Sequence, residues 1–246
     1  MSKTALLDAF KAFDVARVGA ILRKSPELML LTEGPLNLLQ ICCRRSTAGD
    51  AAAAGRQLRL AKFLVGEGFD PRAPLFIPAG EDGEETPANV SLVWFAVAKA
   101  QNNRLARYFL EQGADPRALF AAAWWGNAAI VPDLVRHGAD VNEVVGATPL
   151  YMAVAVFERG IEGQPRLARQ RMTLLKELLR LGADPNIASA DGTTPLHLAL
   201  AREYGVDVFK LLLKHGADPD APGKDGRTVR EIAARKRDRR YARALA

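Results

Sequence analysis

Cysteine is nearly absent from this 246-residue chain. Its two copies, Cys42 and Cys43, are adjacent, which excludes an ordinary long-loop disulfide and with it a disulfide framework. They also lack a second Cys/His pair at zinc spacing. Histidine is as scarce: His137, His197 and His215. None lies in the first 136 residues, so no local base is available to activate either thiol, and both cysteines are expected to be inert core residues. No apolar run reaches the roughly 18 residues that span a bilayer. The start, Met1-Ser2-Lys3-Thr4-Ala5, does not lead into the apolar stretch and cleavage site of a signal peptide, and a first helix is expected there. A chain without disulfides or a leader is expected in the cytoplasm, with delivery into a host cell left open. No phosphate-binding glycine loop, His-Glu-x-x-His or Gly-x-Ser-x-Gly occurs, so nothing argues for an enzyme, a metal or a cofactor.

What the chain does contain is apolar residues, at 49 %, enough for a continuous core. Its Ala- and Arg-rich composition fits a GC-rich bacterial genome. Charge is unevenly placed along the sequence. Lysine and arginine number 34 and the acids 28, a net of +6. From Lys224 onward there are nine basic and three acidic residues, again +6, which leaves 25 against 25 before it. The excess therefore reads as a property of the tail.

A short pattern recurs. Gly-Ala-Asp stands at 113–115, 138–140, 182–184 and 216–218, with a weaker Gly68-Phe69-Asp70. The intervals are 45, 25, 44 and 34 residues. The fullest copy begins Asp191-Gly192-Thr193-Thr194-Pro195-Leu196-His197-Leu198-Ala199-Leu200, continues through an apolar run at 206–213, and closes on His215-Gly216-Ala217-Asp218. Threonine can cap a helix and the following proline presets its first turn. The leucines and alanines form the buried face, with Ala153 and Ala199 small where neighbouring inner helices approach. Glycine after the second helix accepts a left-handed C-cap, and Asp or Asn shapes the turn beyond.

This unit resembles an ankyrin repeat, whose period is about 33 residues. The resemblance covers nearly the whole chain, most strongly in its C-terminal half. It implies an all-α ankyrin-repeat solenoid of about six helix–turn–helix units with degenerate caps, a single domain over 1–246. The units fall near 4–33, 34–72, 88–116, 117–142, 146–185 and 191–219, with a cap at 225–246 and a long finger at 71–90.

Within them, helices are expected at 4–13 and 15–23, from Pro35 through Cys43, and at 58–67, 91–100, 103–112, 119–125 and 128–136, with Pro132 in the first turn of the last. The fifth unit pairs a helix from Thr148 to about Phe157 with one over 167–181. Residues 44–57 read as a mobile insertion between helices, and 158–166 as a second. A terminal helix is expected from Thr228 that continues through the arginines to Tyr241.

The histidines sit where the repeat pattern places them, so a scaffold role is preferred to catalysis or metal binding. Trp94, Phe120, Tyr151 and His197 share one motif position, with filling of the space between repeats as the preferred reading. Trp124 and Trp125 occupy two variable positions at the end of a helix. Neighbours on a helix lie about 100° apart, so both cannot point inward, and exposed tryptophan is enriched at interface hot spots. Covering the trimmed finger before this unit is the competing role.

By resemblance, the chain acts as a non-enzymatic module that binds a specific protein partner through its concave face and fingers, as a monomer or within a hetero-complex. The candidate partner-binding residues are Trp124, Trp125, Tyr151, Trp94, Phe157, Glu84 and Glu85, the two acids belonging to the 81–85 cluster. A solvated loop is the plainer reading of that cluster. An immunity-type inhibitor that masks an enzyme or toxin is the alternative. Anionic-surface binding through the basic tail, to membrane or nucleic acid, is another. A polar cap is preferred for the tail, and nucleic acid is disfavoured because one tyrosine is too few for a stacking platform.

Overall fold

The computed structural model of the chain describes residues 2–73, 90–157, 165–202 and 206–246. Within them the chain forms fourteen α-helices and no strand, and it divides into two compact units, Met1–Ala118 and Leu119–Ala246. The first holds α1 (Lys3–Lys11), α2 (Val15–Lys24), α3 (Leu38–Cys43), α4 (Ala51–Gly66), α5 (Leu92–Ala98) and α6 (Asn103–Glu111). The second holds α7 (Leu119–Trp125), α8 (Val131–Arg136), α9 (Pro149–Ala155), α10 (Pro165–Arg180), α11 (Pro195–Ala201), α12 (Val206–Lys214), α13 (Val229–Arg235) and α14 (Arg239–Ala244).

Each helix pair packs on itself, and the pairs stack within each unit. Odd-numbered helices meet odd ones, as α3 meets α5 and α9 meets both α7 and α11. Even-numbered helices meet even ones, as α4 meets both α2 and α6. The odd helices approach closely because each carries a small residue at one register. Ala9, Cys42, Ala96, Ala122, Ala153, Ala199 and Ala233 are all essentially inaccessible. Cys42 stands in that series as a small apolar residue. Leucine dominates the rest of the core, including Leu38, Leu60 and Leu105 in the first unit and Leu134, Leu150 and Leu196 in the second.

Helix starts follow the caps. Ser91, Thr148, Thr194 and Thr228 each accept the backbone N–H three residues on. Before the outer helices the chain passes through a left-handed residue and then a polar one. Gly49 precedes Asp50, Gln101 precedes Asn102 and Gly126 precedes Asn127, with φ of +79°, +49° and +70° at the three turns.

The structure corrects three expectations. Residues 44–57 are not a mobile insertion. Asp50 caps a helix that begins at Ala51, its carboxylate accepting the Ala53 N–H at 2.8 Å, and the alanine run that follows is the best of helix formers. The seven residues left between the helices (44–50) are pinned. Gln57, fully buried, donates to the carbonyls of Cys42 at 2.9 Å and Arg45 at 3.0 Å. Asn102 donates in turn to Gln57 Oε1 at 2.9 Å. The Thr47 N–H donates to the Ala100 carbonyl at 2.9 Å. Buried polar groups that are all satisfied hold a segment in one place.

The second correction concerns the helix expected from Pro35. It begins at Leu38, because Asn37 and Gln40 form a reciprocal capping box. The third concerns the C-terminal helix. It is two helices, broken where Lys236 adopts an extended conformation and restarted by Asp238, whose carboxylate accepts the Arg240 N–H at 2.9 Å. A seventh helix pair therefore closes the second unit.

The fingers of the second unit are joined by asparagines. Asn142 donates to the Gly182 carbonyl at 3.1 Å and accepts the Asp184 N–H at 2.8 Å. Asn186 repeats the bridge one unit further, to Gly216 at 2.9 Å and Asp218 at 2.7 Å. At the equivalent place Asp220 instead takes Arg230 of α13, through Nε at 2.7 Å and Nη2 at 3.0 Å. In the first unit that register holds Arg72, and Arg72 closes on its own Asp70 at 3.0 Å. Arg117 likewise binds Asp115.

Candidate functional site

Large apolar side chains are exposed at five described positions, four of them in the second unit: Trp124 at 40 %, Trp125 at 52 %, Val144 at 55 % and Val145 at 49 %. Helix α7 reads Leu-Phe-Ala-Ala-Ala-Trp-Trp. Leu119 and the three alanines are buried, which fixes the face turned to the core and leaves the last turn outside. Gly126 ends the helix in a left-handed turn closed by the Asn127 N–H on the Ala122 carbonyl at 2.8 Å. The Arg171 stem lies over this turn, 3.6 Å from where a Gly126 side chain would begin. The two tryptophans thus stand at a helix end closed by this turn.

Helix α9, which packs on α7, is also free of charged residues. Tyr151, Met152 and Ala155 lie half-buried on it, as Phe120 does on α7. Phe120 and Trp124 are one helical turn apart and share a face. The finger carrying Val144 and Val145 enters α9 at its N-terminal end, where the Val145 N–H donates to the Ala147 carbonyl at 3.0 Å. Helices α7 and α9 thus pack together without a charged residue, with two exposed tryptophans at the end of the first and two exposed valines in the finger that leads into the second. Such a surface suits burial against another macromolecule better than contact with water.

The other candidate residues part company. Trp94 is half-buried in the first unit, edge-on to Phe95 with ring centres 5.5 Å apart and Lys99 above it at 5.9 Å. Phe157 is 8 % exposed, its N–H bonded to Val154 as the chain turns after α9, so it is removed from the surface. Glu84 and Glu85 lie outside the described residues, as do 74–89 of the long finger and 158–164 of the second insertion expected over 158–166, whose last two residues open α10.

His197 sits at the motif position of Trp94 and Tyr151, but it is buried. Its Nε2–H donates to the Arg227 carbonyl at 3.0 Å, so Nδ1 accepts the Thr194 hydroxyl at 2.8 Å. The imidazole joins the sixth helix pair to the turn of the seventh. His137 places Nδ1 2.8 Å from the Asp133 carbonyl of its own helix.

Burial pushes the Cys43 thiol well above its usual range, helped by the neighbouring Cys42. Cys43 Sγ lies 3.2 Å from the Leu39 carbonyl. Among the described residues no group of three or more His, Cys, Asp or Glu is placed to hold a metal. None of their helices is long and apolar enough to cross a membrane. A cleft of about 400 Å³ opens beside α1 and α3 over Leu7, Phe10 and Ile41. The cations on its rim are engaged, Lys11 with Asp8, Arg44 with Glu33 and Arg45 with the Lys11 carbonyl.

The basic tail is a packed cap. Tyr241 is 1 % exposed and meets Phe209 edge-on at 5.3 Å between ring centres. Arg240 pairs with Asp238 at 2.7 Å, and Arg239 donates to the Ala234 carbonyl at 3.0 Å.

Residues 167–246 match the family model for ankyrin repeats (3 copies). Among solved structures the chain is similar to the ankyrin repeat domain of Bcl-3, described as a unique member of the IkappaB protein family. That likeness has a TM-score of 0.70 and 19 % identity over 99 % of this chain and 98 % of the other. It is also similar to an ankyrin repeat domain from Acinetobacter baumannii AYE, with a TM-score of 0.64 and 26 % identity over 88 % of this chain and all of the other. No curated protein matches the sequence.

Proposed function

Because the chain is an ankyrin-repeat protein, built from units that serve as protein–protein interaction modules, we propose that it binds a protein partner, without catalysis, through the surface of α7 and α9. The observation that carries this reading is the pair Trp124 and Trp125, exposed at 40 % and 52 % beside helices with no charged residue. Their removal from water on binding supplies affinity. Tyr151 and Met152 extend the contact, and Val144 and Val145 of the finger add specificity.

The test is an affinity capture from native lysate with nuclease added, comparing wild-type with the Trp124→Ala/Trp125→Ala variant. A partner identified with the wild-type is then titrated against both. An interface hot spot contributes about 2 kcal/mol or more, so even if only one of the two tryptophans is one, Kd should rise at least about 30-fold while helical circular dichroism is kept. An unchanged Kd removes the tryptophans from the interface.

A further inference from the structure

The outer helices of the first unit carry a charge pattern that partner binding through α7 and α9 does not use. Helix α2 brings Arg17, Arg23 and Lys24, and α4 brings Arg56, Arg59 and Lys62, with no acid on either helix. Helix α6 adds Arg104 and Arg107 against one acid, its final Glu111. All eight cations are exposed. The acids nearest in sequence sit at helix ends, and Asp14 and Asp50 are engaged as N-caps. The three helices are contiguous, α4 packing on both α2 and α6. The cations reach the seams. Arg23 Nη1 and the Phe63 ring flank Gly19 together, and Lys62 lies over the Tyr108 ring at 5.2 Å.

We propose that this face binds the phosphate backbone of a nucleic acid, without reading its sequence. A polyanion is the natural complement of an exposed cationic face of this kind. Six of the eight are arginines, whose planar forks match phosphate oxygens in pairs. A protein partner is disfavoured because stable protein interfaces draw their energy from buried apolar anchors. None of the exposed large hydrophobic residues lies on α2, α4 or α6. The same absence leaves a membrane nothing to take up beyond surface charge. Nucleic acid needs no such anchor, because its affinity comes from released counterions.

The experiment is fluorescence anisotropy of a labelled short DNA duplex with the full chain across a salt series. Wild-type, Arg56→Gln/Arg59→Gln/Lys62→Gln and a tail control, Arg235→Gln/Arg237→Gln/Arg243→Gln, are compared. Each phosphate contact contributes about −0.9 to the slope of log affinity against log salt. The α4 variant should lose about three from the slope's magnitude, and the tail control should match wild-type. Four results overturn the proposal: no binding at about 50 mM salt, an unchanged slope in the α4 variant, loss confined to the tail control, or equal displacement by polyglutamate at matched charge. Binding to phosphatidylserine vesicles without binding to the duplex would reassign the face to a membrane. The nuclease-treated partner capture tests α7 and α9 separately, so either reading can fail alone.

Discussion

One missing methyl group holds the sixth and seventh helix pairs together. A side chain built on Gly223 would begin 2.7 Å from His197 Nε2 and 2.8 Å from Cδ2. The ring cannot retreat freely, because both nitrogens are bonded, one to Thr194 and one to the Arg227 carbonyl. The same carbonyl also accepts the Gly223 N–H at 2.9 Å. Gly223→Ala must therefore displace the imidazole or the turn. Overpacking of this kind costs about 1–3 kcal/mol, and thermal melts should show a clearly lowered Tm. An unaltered Tm would mean that the turn yields easily and that His197 does not clamp it. The histidine itself was legible as a scaffold residue from its place after Thr-Pro-Leu. The need for glycine opposite it was not, since nothing in the sequence pairs positions 197 and 223.

At the scale of elements, the fingers are of two kinds. Asn142 and Asn186 each make two bonds to the next unit, whereas Arg72 and Arg117 bind the aspartates of their own turns. Asn186→Ala removes both partners at once, from the Gly216 carbonyl and the Asp218 N–H, and should cost about 1–2 kcal/mol. Arg72→Ala breaks an exposed pair within its own turn, leaving only the contact of its stem beside Gly113, and should cost less than about 1 kcal/mol. Urea denaturation of the two variants decides between them, and equal midpoints would sink the distinction.

The repeats with Thr-Pro starts and Gly-Ala-Asp ends were legible because each local signal names its own helix boundary. Helix α4 was not. Alanine and glycine beside small polar residues also suit a loop, and the buried Gln57 that fixes the segment finds its partners only in three dimensions. The break at Lys236 was hidden for a related reason. Arginine and lysine favour helix, so only Asp238, as a cap, marks the restart.

The last finger adds a pH dependence. Hydrogen bonding from Arg230 holds the Asp220 carboxyl below the usual carboxylate range. The unfolded chain therefore takes up this proton before the folded chain does. The pair's contribution is present above the ordinary carboxylate pKa of about 4 and is lost as pH falls through the lower folded value. Asp220→Asn should flatten the acid limb of the stability curve near pH 3–4 while leaving its alkaline side unchanged in shape. An identical acid limb in the variant would remove Asp220 from the account.

For the whole molecule, the total charge concealed what the helices separate. The first 223 residues balance 25 against 25, yet α2, α4 and α6 gather eight cations against Glu111. The tail that carries the formal excess folds instead around a buried aromatic. Tyr241 packs on Phe209 of α12, so the cationic segment is anchored by its one apolar ring. In a repeat array each pair depends mainly on its neighbours. Tyr241→Ala should cost about 3 kcal/mol, as large-to-small changes in aromatic cores do, and its damage should fade with distance along the chain. Hydrogen exchange read by mass spectrometry should show α11 to α14 losing protection while α1 to α6 keep theirs. Protection lost evenly over all fourteen helices would show that the chain opens as one cooperative block and that the nearest-neighbour account fails.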